Sequence, residues 1–185
     1  MNTGLVTAKL HLGENNEAEK IARDSLAMHL RLQGPEHPET GWGYYCLCNA
    51  LTTNGKFSEA VSSGENAMDI WMKVYPSNHW SISLGLNAIL NALEGAVNNG
   101  TLIEVIPTLQ KLDPLEAMCR KVDAAMPVQA FGDRVSPSMR RFTGRMRINE
   151  IYLALSMELK AAGREQEATE CLHRLAALMN SLNHP

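Results

Sequence analysis

The sequence predicts an all-α solenoid of antiparallel helix pairs, on three observations. The first is a period. Gly13 to Ala18 (G-E-N-N-E-A) is echoed by Gly55 to Ala60 (G-K-F-S-E-A), 42 residues later, and His37 and His79, each beside a loop proline, are also 42 apart. A fixed repeat of this size marks stacked helical units, each too small to bury its apolar face alone. The second is a succession of helical apolar patterns cut by Gly or Pro stops. The third is composition. The 185 residues are 45% apolar but only 5% aromatic, with 10 Met, which suits helices packed through Ala, Leu and Met better than a sheet.

Each element follows from local chemistry. Thr3–Leu12 reads as a short helix stopped by Gly13, and Asn15 or Asn16 is a candidate cap for a second helix over 17–32. Gly34-Pro35 stops that helix, and Pro38-Glu39-Thr40 opens a third that runs to Thr53 before Asn54-Gly55. Ser58 is the expected cap of a fourth helix reaching Tyr75, and Asn78 or Ser81 starts a fifth ending near Val97, before Asn98-Asn99-Gly100. Beyond Thr101 the pattern loosens. A short helix from Leu102, a kink at Pro107 and a helix over Pro114–Ala125 are expected, because an interior proline costs a helix about 3 kcal/mol. The segment Pro127–Pro137 reads as a loop, Ser138 as the start of a helix to Ala162, Gly163 as its stop, and 164–182 as the last helix. The glycine spacing from 100 to 163 is 63, about 20 residues too long for one repeat, so the third repeat is irregular.

Gly55-Lys-Phe-Ser-Glu-Ala60, followed by Ala67, resembles the G-x-[YF]-x-x-A…A core of a tetratricopeptide repeat, and Gly34–Thr40 (G-P-E-H-P-E-T) resembles the inter-repeat loop of the 42-residue, kinesin-light-chain type. Gly163–Ala168 (G-R-E-Q-E-A) resembles the same turn. The resemblance implies a right-handed superhelix of about four repeats, near 1–33, 38–75, 79–126 (irregular) and 138–182, in one domain spanning 1–183. Cys48, Ala60 and Ala67 match the small residues at the crossing of the two helices of a pair. The first helix is expected to begin before Met1, so that the sequence is a piece of a longer protein.

In that family the first helix of each pair lines a concave groove, often with an Asn-Asn pair that holds a peptide backbone. By register Asn87 falls on the first of those positions, with Asn91 one turn on, whereas the second repeat has Tyr45 and Cys46 there. The groove expected here is therefore lined by Trp42, Tyr45, Asn49 and Thr52 on one helix stripe and Asn87 and Asn91 on the next. Rings supply contact area at low entropy cost, and neutral amides supply both a donor and an acceptor. The plainer reading is that Trp42 and Tyr45 pack on the preceding repeat, and that the amides are exposed surface groups or one Asn is satisfied by the neighbouring repeat. Arg141 and Arg145, one turn apart, form a second candidate site, for acidic or phosphorylated motifs, against the plainer reading of a solvated helix end.

Other function classes find no support. The formal charge is −3, and the arginines have no interleaved aromatics, so no nucleic-acid partner is expected. No run of 18 apolar residues and no signal-peptide pattern occurs, so no membrane partner is expected. None of the six histidines stands in a zinc spacing, and no nucleophile, phosphate-loop or dinucleotide motif appears, so neither catalysis nor a metal or cofactor is expected. Cys46 and Cys48 sit two apart on a helix and diverge by about 200°, so all four cysteines are expected as reduced, packed thiols in a cytoplasmic protein. The expected function is a non-catalytic interaction module with a peptide or partner domain in its groove. The alternative is a structural or regulatory array within a larger signalling protein, packing on its own chain or self-associating.

Overall fold

A computed structural model describes residues 3–77, 79–125 and 144–183. Every regular element among the described residues is helical: α1 (Thr3–His11), α2 (Asn15–Gln33), α3 (Pro38–Thr53), α4 (Phe57–Val74), α5 (Trp80–Asn99), α6 (Leu102–Val105), a 3-10 turn (Leu109–Leu112), α7 (Asp113–Ala125), α8 (Gly144–Ala161) and α9 (Glu165–Asn183). The chain divides into two compact units, Met1–Gly95 and Ala96–Pro185.

One turn recurs and sets the hairpins. Gly13, Gly55, Gly100 and Gly163 all have φ between 65 and 75°, a region where a side chain costs roughly 1–2 kcal/mol. In each, the glycine N–H reaches back three residues and the next N–H reaches back five, as in Gly55 N to Thr52 O at 3.1 Å and Lys56 N to Leu51 O at 2.9 Å. This pairing satisfies the carbonyls that a helix end leaves open. The residue after the glycine then accepts the first bond of the next helix, as Lys56 O does from Ala60 N at 3.0 Å. The caps expected at Ser58 and at Asn15 or Asn16 are therefore not used. The boundary residues are Lys56 and Glu14, neither with a side-chain cap. The turn hands its backbone straight to the next helix and leaves no residue over for a cap.

The other turn in the first unit is made by histidine. His37 precedes α3 in extended backbone, and its Nδ1 accepts the Glu39 N–H at 3.2 Å. His79 does the same for Ser81 at 3.3 Å, so α5 starts at Trp80 rather than at Asn78 or Ser81.

Within the first unit α4 buries Phe57, Ala60, Val61, Gly64, Ala67, Met68 and Trp71, a 3.6-residue stripe. Its close approaches come from glycine. A Cβ on Gly64 would lie 2.5 Å from Ile89 Cγ1 and 3.3 Å from Cys48 Sγ, and one on Gly41 would lie 2.5 Å from Trp71 Nε1. Trp71 is fully buried, and its indole N–H donates to Pro38 O at 3.1 Å, so that buried donor is paired.

At the α2 side Glu19 is buried and accepts from Asn54 Nδ2 (2.6 Å), Lys56 Nζ (2.8 Å) and Arg23 Nε (3.0 Å). Burial is the largest influence on its carboxyl and raises the pKa, but the bonds from Lys56, Asn54 and Arg23 outweigh it and hold the group down at about 2. Glu19 thus ties the Asn54–Lys56 turn to the preceding repeat.

The second unit is less regular. α6 has four residues and no side-chain cap of its own. Its N-terminal amides are met from α8, where Glu158 accepts Leu102 N at 3.3 Å and Ile103 N at 3.1 Å. Pro107 then breaks the helix, and Arg164 Nη2 donates to its carbonyl at 3.0 Å. Tyr152, buried on α8, donates to Glu116 of α7 at 3.2 Å, and the Cys171 thiol of α9 donates to Tyr152 O at 3.0 Å. The expected start at Ser138 and the Pro127–Pro137 loop lie outside the described residues.

Candidate functional site: a neutral groove on the first helices of the pairs

α1 and α3 lie side by side, and with α5 they enclose an open groove of about 320 Å³ in the first unit. α1 contributes Val6, Thr7, Leu10 and His11; α3 contributes Tyr45, Cys46, Asn49, Thr52 and Thr53; α5 contributes Asn91. Thr7, Asn49 and Asn91 are spaced by 42, as are Leu10 with Thr52 and His11 with Thr53. The groove is thus a set of equivalent positions, one row of which carries a neutral hydroxyl or amide on all three helices.

The lining holds no Asp, Glu, Lys or Arg. Val6 and Cys46 are buried in its floor. Asn49 Nδ2 donates back to Tyr45 O at 3.1 Å, which fixes the side chain. Thr52 and Thr53 hydroxyls donate to the carbonyls four residues back, both at 2.9 Å, leaving their lone pairs as acceptors. Burial raises the Tyr45 phenol above its ordinary range, with a hydrogen bond from Asn49 opposing it.

Of the residues expected from the sequence, Tyr45, Asn49, Thr52 and Asn91 line this groove, and Trp42 and Asn87 do not. Asn87 is half-buried. Trp42 is half-buried in an aromatic cluster, with ring centroids 5.5 Å from Tyr45, 5.1 Å from Trp71 and 5.3 Å from Trp80. Its ring packs against Trp71 of α4 and Trp80 of α5. The α1 wall was missed, though the period carried the signal: counting 42 back from Asn49 and Thr52 reaches Thr7 and Leu10. Of the arginine pair, Arg141 and the side chain of Arg145 lie outside the described residues. Among the described residues no cluster of three His, Cys, Asp or Glu could hold a metal, and no helix is long and apolar enough to cross a membrane. The four cysteines are buried and unbridged, and burial pushes the Cys48 thiol up to about 12 and Cys171 up to about 11.

The family model for the tetratricopeptide repeat matches residues 3–39, that is α1, α2 and the histidine turn after them. Residues 3–39 are thus similar to a tetratricopeptide repeat. Two solved structures are similar to it, both from Podosopora anserina and described as kinesin light chain nearly identical TPR-like repeats, the second a single-substitution variant of the first. Each is 19% identical with a TM-score of 0.48 and covers 100% of this chain, at 96% and 95% of its own. No curated protein matches the chain. That match takes in all but the last residue of the inter-repeat loop read from Gly34–Thr40 and does not reach the turn read from Gly55–Ala60.

Proposed function

We propose that this chain is a non-catalytic interaction module that holds an extended peptide segment of a protein partner in the groove of α1, α3 and α5. Repeats of the tetratricopeptide type support an interaction role in general. The observation that carries the finer reading is the row Thr7, Asn49, Asn91, in register across three first helices. An extended peptide crossing parallel, equivalent helices meets the same environment at each step, and its main chain needs neutral donors and acceptors. The absence of Asp, Glu, Lys and Arg from the lining argues that the groove-facing side chains of the partner are uncharged, because an unpaired charge desolvated there is costly. The buried, unbridged thiols support a reducing compartment, and the cytoplasm is the proposed location.

The test is selection of random peptides from a display library on the full chain, followed by calorimetry. Thr7 is exposed on α1, so Thr7→Arg fills the groove without disturbing the core. It should weaken selected peptides about tenfold or more, as loss of a central contact does. Asp69→Ala, exposed on α4, should leave them unchanged. Equal affinity for wild type and Thr7→Arg would refute the groove.

A further inference from the structure

The last helix carries an exposed apolar face beside its buried one. Thr169, Leu172, Ala176 and Met179 of α9 are exposed, Leu172 at 45% and Met179 at 53%, and they share an arc of about 80°. Register shows what that arc is. The turns at Gly55 and Gly163 align with an offset of 108, so Leu172, Ala176 and Met179 fall on Gly64, Met68 and Trp71 of α4. On α4 these three are buried, and they seat α5. A Cβ on Gly64 would lie 2.5 Å from Ile89 Cγ1, and one on Gly85 would lie 2.5 Å from Met68 Sδ and 3.2 Å from Trp71 Cζ3. Another 42 residues back, Ala22 and Leu26 of α2 are buried in the same way, and a Cβ on Gly43 of α3 would lie 3.1 Å from Leu26 Cδ1. The arc is thus the stacking face of a second helix, filled in two repeats and exposed on α9.

We propose that this face docks on the same face of a second copy of the chain, α9 against α9, antiparallel about a two-fold axis. Size selects the occupant. In α2 and α4 the face runs small then large, Ala22 then Leu26 and Gly64 then Met68, and the helix received runs glycine then large, Gly43 then Leu47 and Gly85 then Ile89. α9 reverses the order, with Leu172 then Ala176. A first helix of that kind would set a large side chain on Leu172 and a glycine on Ala176, an overpacked layer beside a void. An antiparallel second α9 meets the reversal. With Leu172 opposite the second copy's Ala176, the two-fold repeats that layer, and Thr169 falls opposite the second copy's Met179 on either side. Each layer then pairs a large residue with a small one. The Thr169 hydroxyl already donates to Glu165 O at 2.9 Å, so burying it leaves no open donor. Charge permits the approach. The exposed edge of the face carries Gln166, His173 and Asn180, with no Asp, Glu, Lys or Arg, while Glu170 and Arg174 pair at 3.1 Å on the far side of the helix. This face shares no residue with the groove proposed above and does not depend on it.

The experiment is sedimentation equilibrium of the full chain from about 5 to 500 μM, because a one-stripe interface is small and its dimer weak. A reversible monomer–dimer equilibrium is expected. Leu172→Ala and Ala176→Leu should each weaken it about fivefold or more, the first by a void and the second by a clash. The double variant exchanges the layers but again sets large against small, and should return to within about threefold of wild type. Both positions are exposed, so circular dichroism of the variants should match wild type. If a single variant does alter the fold, Leu172→Glu decides in its place, with loss of the dimer expected because a carboxylate then lies in each central layer. Thr7→Arg, in the groove, should leave the equilibrium unchanged. A monomer throughout the range, a folded Leu172→Glu that dimerises as wild type does, or a double variant no tighter than its singles overturns the proposal. So does a dimer that Thr7→Arg abolishes, which would assign self-association to the groove.

Discussion

The turn at Gly55 in the first unit and the turn at Gly100 in the second start alike and end differently. Both glycines have positive φ, 72 and 65°, and both make the same pair of backward hydrogen bonds. After the first, α4 runs for 18 residues; after the second, α6 runs for four. Counting seven residues on from each glycine reaches Ser62 in one case and Pro107 in the other. Ser62 keeps its backbone N–H and lies inside α4, its Oγ donating to Ser58 O at 3.2 Å, whereas Pro107 has no N–H to give and follows the end of α6. The turn is therefore a local device that two glycines repeat faithfully, while the length of the next helix is set by the donors beyond the turn. The second unit offsets the loss by lending Glu158 to the open amides of Leu102 and Ile103.

The sharpest break of the regular unit should come at Trp71. Trp71→Ala removes a fully buried indole, its bond to Pro38 and its contacts with Trp42 and Tyr45. Denaturant unfolding should show a loss of about 3–5 kcal/mol, confined to the transition of the first unit. Next is Ala60→Leu, at a fully buried position on the face that α4 turns inward, where overpacking should cost about 1–3 kcal/mol. An unchanged melting temperature would show that the face of α4 has been misassigned.

Glu19 separates the units by pH. Its folded pKa lies below that of an unfolded carboxylate, about 4.3, so its contribution is complete above that value and is lost as pH falls toward about 2. The first unit of the wild type should therefore lose stability through that window. Glu19→Gln should lower stability at neutral pH by about 1–3 kcal/mol and flatten the acid limb. A parallel acid limb in the variant would assign that loss to other carboxylates. Smallest is Glu158→Gln in the second unit, expected to cost about 1 kcal/mol as lost caps do. Hydrogen exchange should speed up at Leu102 and Ile103 and stay unchanged at Ala60, whose N–H bonds to Lys56 O within the chain's own turn.

Much of this was legible before any coordinates. Gly13, Gly55, Gly100 and Gly163 announce their turns because the backbone there needs φ above zero, a demand met residue by residue. His37 and His79 announce theirs because a side-chain acceptor two residues before an open amide is also local. Period 42 and period 3.6 together put Tyr45, Asn49, Thr52 and Asn91 on one face, and all four line the same pocket. Ser58 and Asn15 misled because a cap is only a preference, and the Gly turn had already satisfied the backbone.

By itself, then, the sequence determined what depends on neighbours along the chain: the helices, their stops, the repeat and the face each helix turns inward. Only the tertiary structure decided what depends on partners far away in sequence. It placed Glu19 against the turn 35 residues on, and Glu158 against amides 55 and 56 residues back. It set Gly64 where Ile89 leaves no room for a Cβ, and it brought Trp42 into a cluster with Trp71 and Trp80. The reason is physical. A turn is satisfied by its own peptide groups, but a buried charge, an open helix end or a large ring is satisfied only by whatever packing brings within a few ångströms.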